Sequence, residues 1–228
     1  MSIDSLSFTL RLVETQEDLA KVCDVRASGY GHHAPALREH MAIPDMIDLS
    51  PWTAVFLCED KGSGAPIGTM RMQDNTRGGV QVEIEKYLQM PEWLTRSGGR
   101  CEMSRLVITP GADRLAKAAL WKAGYLRCLA MQVHWLVIGA RKPGLMKQYE
   151  YLGAKDMYED RRLVPLGHGW NLPHRIFVMD VRNAARDWHE EEHRLLRFMV
   201  ETDHPDISIE SMNRPAAAGP RLSLVASA

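Results

Sequence analysis

The chain has almost no net charge: 28 Lys and Arg stand against 29 Asp and Glu, a formal −1. Nucleic acids and anionic membrane surfaces recruit proteins through a basic field, and this sequence lacks one. It also lacks paired cysteines. Cys23, Cys58, Cys101 and Cys128 lie far apart with no C-x-x-C, and three of them fall in apolar-patterned segments. That usage suits packed thiols in a reducing, cytoplasmic compartment better than a disulfide framework. No apolar run approaches the roughly 20 residues of a membrane span, and the first residues hold no signal-peptide core, so no stable membrane insertion is expected. Internal repeats are absent too. What is present is an ordinary globular balance, 45% hydrophobic and 25% charged over 228 residues, enough for one large domain or a domain with an appendage.

Residues 7–13 alternate in polarity and predict a strand; "TQEDLAKVCDVRASGY" predicts a helix capped by Thr15, with Leu19, Val22, Cys23 and Arg26 at helical spacing. Residues 31–51, holding Gly31, Pro35, Pro44 and Pro51, read as loop with one short helix. "TAVFLCE" and "PIGTMRM" flank "DKGSGA", the turn chemistry of a hairpin with a longer loop. Over 77–100, "VQVEI" reads as a strand and the rest as irregular chain. A strand at 102–108 precedes the clearest helix, 112–132, whose apolar stripe is Leu115, Ala118, Ala119, Leu126 and Leu129, with Arg114, Lys117 and Arg127 elsewhere on its surface. "HWLVIG" is a buried strand, "LMKQYEYLG" a helix closed by Gly153, 175–181 a last strand and 183–200 a charged helix. From about residue 212 the composition is that of a disordered end. The chain thus divides into a domain over 1–182 and a C-terminal helix and tail over 183–228. The order β-α-loop-β-β-β-α-β-α-β-β predicts an α/β (α+β) fold, a mixed sheet with helices packed on it.

One short segment does not fit a plain strand. In "CEMSRLVITPG", Cys101–Gly111, apolar Met103, Leu106, Val107 and Ile108 share a few positions with Glu102, Ser104 and Arg105. Regular alternation would send Glu102 and Arg105 to opposite faces. A β-bulge would bring them to one face, and bulges tend to sit beside active sites.

With these residues in view the chain resembles the Gcn5-related N-acetyltransferase (GNAT) fold, a mostly antiparallel mixed sheet flanked by helices. Within that fold it resembles the acyl-homoserine-lactone synthases and the long-chain N-acyl amino acid synthases. "EMSRL" is similar to that group's E-x-S-R signature and carries Glu102, Ser104 and Arg105 into its catalytic set. Arg26 and Tyr30 resemble its Arg and aromatic one helical turn apart, Asp45 and Asp48 in "PDMIDLS" its paired aspartates, and Arg71 in "IGTMRM" the Arg closing its third strand. The match covers roughly residues 8–182 in element order. Two positions depart from the lactone synthases: Ala34, Pro35 and Ala36 stand where they carry a Trp, and Ile43 where they carry an acidic residue. Both point away from lactone formation and toward an open N-acyl amino acid.

Moving an acyl group from a thioester to an amine requires that the amine lose a proton, that the oxyanion find donors, and that the reactants be held together. Glu102 can serve as base through water, or form a structural ion pair with Arg105. Backbone N–H groups of a bulged 102–106 can meet the oxyanion and the pantetheine arm. Arg71 and Arg105 suit a bidentate carboxylate. Asp45 and Asp48 can bind an acceptor's ammonium or order the loop over the site, and Asp45 also reads as an Asx turn or helix cap. Arg26 reads as a brace for Asp48 or Glu102. Tyr149 stands where many acetyltransferases place a general acid, or packs against the sheet.

The resemblance implies no bound cofactor, only an acyl donor. Users of acetyl-CoA usually carry R/Q-x-x-G-x-G/A, whose amides cradle the pyrophosphate. "ITPGADRLAK" has one Gly and no such pattern, and "RKPGLM" ends on Met146. The donor expected is therefore acyl carrier protein (ACP) before acyl-CoA, with Arg114, Lys117, Arg141, Lys142 and Lys147 available to meet an acidic carrier or simply solvated. Met46, Trp52, Phe56, Met70, Met72, Met131 and Trp135 are candidates for an acyl pocket, or plain core.

"HEEEH", His189–His193, matches H-E-x-x-H, which on one continuous helix would put two imidazoles on one face with Glu190 as base. Glu191 and Glu192 make the segment surface-like, no third ligand stands at the usual spacing, and His32, His33 and His168 suggest no ligand set, so no metal site is expected. The expected function is N-acyl transfer of a medium or long chain to the amine of an amino acid or related molecule. The alternatives are an acyl-homoserine-lactone-type autoinducer synthase, a small-acyl GNAT acetyltransferase, a non-catalytic acyl-binding module, and a zinc protease.

Overall fold

Thr15 starts the first helix as expected: its hydroxyl accepts from the Asp18 N–H, satisfying one of the donors a helix N-terminus leaves open. A computed structural model of the chain describes residues 2–76, 81–96, 98–167 and 171–208. In chain order its elements are β1 (Ser2–Ile3), β2 (Phe8–Leu12), α1 (Gln16–His33), α2 (Arg38–Met41), β3 (Thr53–Asp60), β4 (Pro66–Asp74), α3 (Glu92–Arg96) and β5 (Arg100–Ile108). There follow α4 (Ala116–Ala130), β6 (Trp135–Ala140), α5 (Pro143–Tyr151), β7 (Lys155–Asp156), β8 (Val164–Leu166), β9 (Leu172–Asp180), α6 (Val181–Glu190) and β10 (Thr202–Asp203). The main sheet has eight strands in the order β2-β3-β4-β5-β6-β9-β7, with β8 also on β9, and β1 pairs β10 separately. It is mixed and mostly antiparallel, and β5 and β6 pair in parallel.

The chain divides into two compact units, with β4, β5 and α4 passing from one to the other. The first unit comprises Ser5–Arg71, Arg105–Ala123 and the chain from Pro205. Here β2 pairs β3 from Phe8↔Asp60 to Leu12↔Phe56, burying Phe8, Leu10, Phe56 and Leu57. Helix α1 packs Val22 on Val55 and Leu57. Gly29 permits a close approach at the other end of that helix, since a Cβ there would lie 2.3 Å from the Val107 Cγ1.

The second unit comprises Met1–Asp4, Met72–Ser104 and Gly124–His204. Strand β5 pairs β6 from Arg100↔Trp135 to Met103↔Ile138, where the ladder stops; β6 continues along β9 to Ala140↔Arg175. Val82, Ile84, Leu94, Val137, Ile176 and Val178 form its core. Asp180 ends β9 and caps α6, accepting from the N–H groups of Arg182 and Asn183.

Three expectations change. "VQVEI" is not a strand over its described residues: Glu83–Lys86 form a 3₁₀ turn, whose first amides are held by side chains rather than by a ladder. Helix α4 starts at Ala116, and its apolar face is rotated from the one read: Leu115 and Leu129 are exposed, while Leu120, Trp121, Tyr125, Cys128 and even Lys122 and Arg127 are buried. A helix covered over most of its circumference has no narrow stripe to read. The charged helix ends at Glu190, because Glu192 takes a left-handed φ of 48°, and a π-helical turn follows at Arg197–Glu201. The tail from 212 lies outside the described residues. No described helix is long and apolar enough to cross a membrane.

Candidate active site

Strand β5 is irregular at Arg105. Arg105 has φ of 55°, a left-handed conformation that costs a side-chain-bearing residue energy and persists where its surroundings impose it. The inside–outside alternation fails just before it: Cys101, Glu102 and Met103 are all buried, Ser104 is half-buried, and Arg105 is buried again.

In the first unit, five of the residues singled out from sequence come together: Arg26 from α1, Asp45 and Asp48 from the loop after α2, Arg71 from β4 and Arg105 from β5. Arg26 Nη1 donates to Asp48 Oδ2 at 2.7 Å, with both side chains 2% exposed or less. Arg71 Nη1 reaches both oxygens of Asp45, at 2.9 and 2.7 Å, and lies 3.6 Å from Asp48 Oδ1. Arg105 Nη2 is 3.6 Å from Asp45 Oδ2, its Nη1 meets the Met41 Sδ at 3.4 Å, and its guanidinium carbon sits 5.9 Å from the Tyr30 ring centroid.

The aspartates also fold their own loop. Asp45 Oδ1 accepts from the N–H groups of Ile47 and Asp48, both at 2.9 Å, and Asp48 Oδ2 accepts from the Asp45 N–H at 3.1 Å. The Asx-turn and loop-ordering readings therefore describe the same contacts. Burial pushes the Asp45 carboxyl up, but the Arg71 guanidinium, the Asp48 N–H and Arg105 together hold it down at about 2. Two nitrogens of buried Arg26, Nε and Nη2, have no hydrogen-bond partner among the described residues. That is a costly arrangement for a buried guanidinium.

In the second unit, Glu102 is 2% exposed and its Oε2 accepts from the Ile84 N–H at 2.7 Å. Gln73 Oε1 does the same for the Glu83 N–H at 2.8 Å. A carboxylate and an amide from adjoining strands thus fix the entrance to the Glu83–Lys86 turn, and the turn fixes the Glu102 carboxylate. Tyr149 is buried on α5 with its ring edge-on to Phe177, centroids 6.0 Å apart. Arg141, Lys142 and Lys147 are exposed around the start of α5, whereas Lys117 is partly buried, which lowers its pKa.

Sequence reasoning missed Met41, Ile84 and Gln73 as partners. A backbone N–H leaves no compositional trace, and neither Met41 nor Gln73 lies in a motif. Of the acyl-pocket candidates, Phe56, Met70 and Met72 are fully buried, Met46 is 73% exposed, and Trp135 lines a groove of about 540 Å³ with Trp93, Met157 and Val178. In "HEEEH" the helix stops inside the motif, so the two histidines do not share a helix face. His189 is exposed, while the His193 Nε2 is 2.6 Å from the Tyr151 carbonyl and its Nδ1 takes the Leu195 N–H at 3.1 Å. Both ring nitrogens are thus engaged by backbone. Among the described residues no group of three His, Cys, Asp or Glu is placed to hold a metal.

Comparison with solved structures assigns the architecture. FeeM, an N-acyl amino acid synthase from uncultured soil microbes, superimposes with a TM-score of 0.60 at 15% identity, over 84% of this chain and 98% of that one. The chain has the GNAT-like fold. An acetyltransferase from Streptococcus agalactiae matches with a TM-score of 0.52 at 12% identity, over 76% of this chain and 98% of its own. FdhC, a nucleotide-linked sugar GNAT, matches at 0.50 with 10% identity, over 85% and 97%. No protein-family model and no curated protein sequence matches the chain.

Proposed function

We propose that the protein is an N-acyltransferase that moves a medium or long acyl chain from acyl carrier protein, or less readily from acyl-CoA, to the amine of an amino acid or related small molecule. The observation that carries this reading is the buried Arg26–Asp48 and Arg71–Asp45–Arg105 arrangement, built from the residues that resemble the N-acyl amino acid synthases, on a fold like that of FeeM.

In this reading Glu102 takes the amine proton through water, and its bond from the Ile84 N–H holds the carboxylate in one orientation for that task. N–H groups of the irregular stretch 102–106 stabilise the tetrahedral oxyanion, Ser104 stands among them, and Tyr149 protonates the departing thiolate. Arg71 and Arg105 address the acceptor's carboxylate, with Tyr30 beside Arg105. Asp45 and Asp48 keep the loop ordered, and Arg26 anchors Asp48. The exposed Arg141, Lys142 and Lys147 favour an acidic carrier as donor, in line with the missing pyrophosphate loop.

The test is the product. Lipid extracts from overexpressing cells should contain a new open N-acyl amino acid by mass spectrometry; N-acyl homoserine lactone as the main product would overturn that form of the reading. In purified assays acyl-ACP should give a higher kcat/KM than acyl-CoA. Glu102→Gln keeps shape and most hydrogen bonding, so turnover should drop roughly 10²–10⁴-fold with the melting temperature retained. Near-normal turnover in that variant would remove Glu102 from the chemistry.

A further inference from the structure

We propose that Asp45 is a displaceable occupant of the acceptor-carboxylate site: it holds Arg71 in the free protein and gives way when the carboxylate of an amino-acid acceptor binds. This rests on the acyltransferase reading above and names how that site selects its acceptor. The cluster is asymmetric in the way such a role needs. Arg71 is 1% exposed and Asp48 equally so, but the Asp45 side chain is 28% exposed, the most open of the five charged groups. Solvent reaches the pair from the Asp45 side.

Both Asp45 oxygens meet the Arg71 Nη1, at 2.9 and 2.7 Å, so the carboxylate already stands where a bound acceptor's carboxylate would. Asp45 is ionised at every working pH, because its carboxyl is held at about 2, so it presents the same anion that an amino acid would.

Moving the Asp45 carboxylate gives up the bonds its Oδ1 accepts from the Ile47 and Asp48 N–H groups, and water can replace them on the open side of the loop. Ile43 and Met46, on either side of it, are 65% and 73% exposed. Asp48, by contrast, is fixed by buried Arg26 and stays behind as the loop's anchor. An acceptor's carboxylate would therefore exchange one anion for another at Arg71 while leaving the Arg26–Asp48 pair intact. An amine without a carboxylate cannot make the exchange and would find the site occupied.

Asp45→Asn separates the charge from the turn, since the Asn Oδ1 still accepts from the Ile47 and Asp48 N–H groups. With saturating acyl-ACP, the KM for a carboxylate-bearing acceptor should fall about 10-fold in the variant, as expected if the native site is open about a tenth of the time. The KM for the corresponding amino-acid amide should not fall with it. An unchanged or raised KM for the acid, or an equal fall for acid and amide, overturns the proposal. A folding defect in Asp45→Asn is covered by Asp45→Ser, whose hydroxyl also suits the turn and which must show the same selective fall. If the wild-type protein forms no product with any acceptor, the acyltransferase reading fails separately. Calorimetry with N-acetylglycine, which has the carboxylate but no free amine, then decides this proposal without turnover. Tighter binding to Asp45→Asn than to wild type supports it, and equal or weaker binding ends it.

Discussion

Two short charged motifs, "PDMIDLS" and "HEEEH", look comparable as text, and the structure treats them in opposite ways. The first folds into a loop whose aspartates are pinned by three arginines from a helix and two strands, largely out of solvent. The second lies where its helix ends, and its Glu190 pairs on the surface with Arg186 of the preceding turn, the two 67% and 60% exposed. Charge density is the same kind of signal in both; what separates them is whether distant elements arrive to neutralise it. A buried charge must be paired, so its neighbours are dictated, whereas a solvated charge dictates nothing.

That difference should show first in stability. Arg26→Met removes a buried guanidinium at similar volume and leaves Asp48 without its closest cation. The loss should be roughly 3–5 kcal/mol in a denaturant melt. Adding Asp48→Asn to that background should recover part of it, because the Asn keeps an oxygen for the Asp45 N–H while removing the charge that Arg26 balanced. A single variant with wild-type stability would mean that the pair is dispensable and that the comparison with the surface motif fails.

Acid should also weaken the paired aspartates. Asp45 is held at about 2 against an ordinary 3.8, and the hydrogen bond from Arg11 holds the Asp18 carboxyl well below that value. Groups depressed on folding contribute stability that is complete above the unfolded value and is lost as pH falls through the folded one. Melting temperature should therefore decline between about pH 4 and pH 2, and Asp45→Asn should flatten part of that decline. An identical acid profile in the variant would show that Asp45 is not part of the linkage.

Much of this was legible in the sequence, for reasons that can be named. Thr15 announced α1 because a helix start needs an acceptor, and "DKGSGA" announced the hairpin because a tight connection needs turn residues. The five clustered charges were recoverable through family resemblance, whereas the left-handed φ of Arg105 has no signal in its residue type. Partners supplied by backbone were not legible: nothing in "VQVEI" says that the Ile84 N–H will meet Glu102. Nor was the face of α4, on which even Lys122 and Arg127 are buried. The end of α6 was missed because Glu192 carries no breaker identity; a left-handed Glu is set by its surroundings rather than by propensity.

The smallest effect belongs to the exposed turn of α6 that leads into the second motif, and its smallness is what gives it value. Arg186 pairs with Asp187 at 2.9 Å and with Glu190 one turn on at 3.7 Å, and its side chain is 60% exposed. In that setting water and salt compete for both partners, and holding a long side chain in one geometry costs entropy that offsets the attraction. Arg186→Ala should leave the melting temperature where it was, at low and at high salt, although it removes two ion pairs. Arg26→Met removes one pair of similar length and should cost most of the protein's margin. If the two variants behaved alike, burial would not be what turns a charged motif into a positioned one, and the Asp45 loop would have no better claim to function than the end of α6.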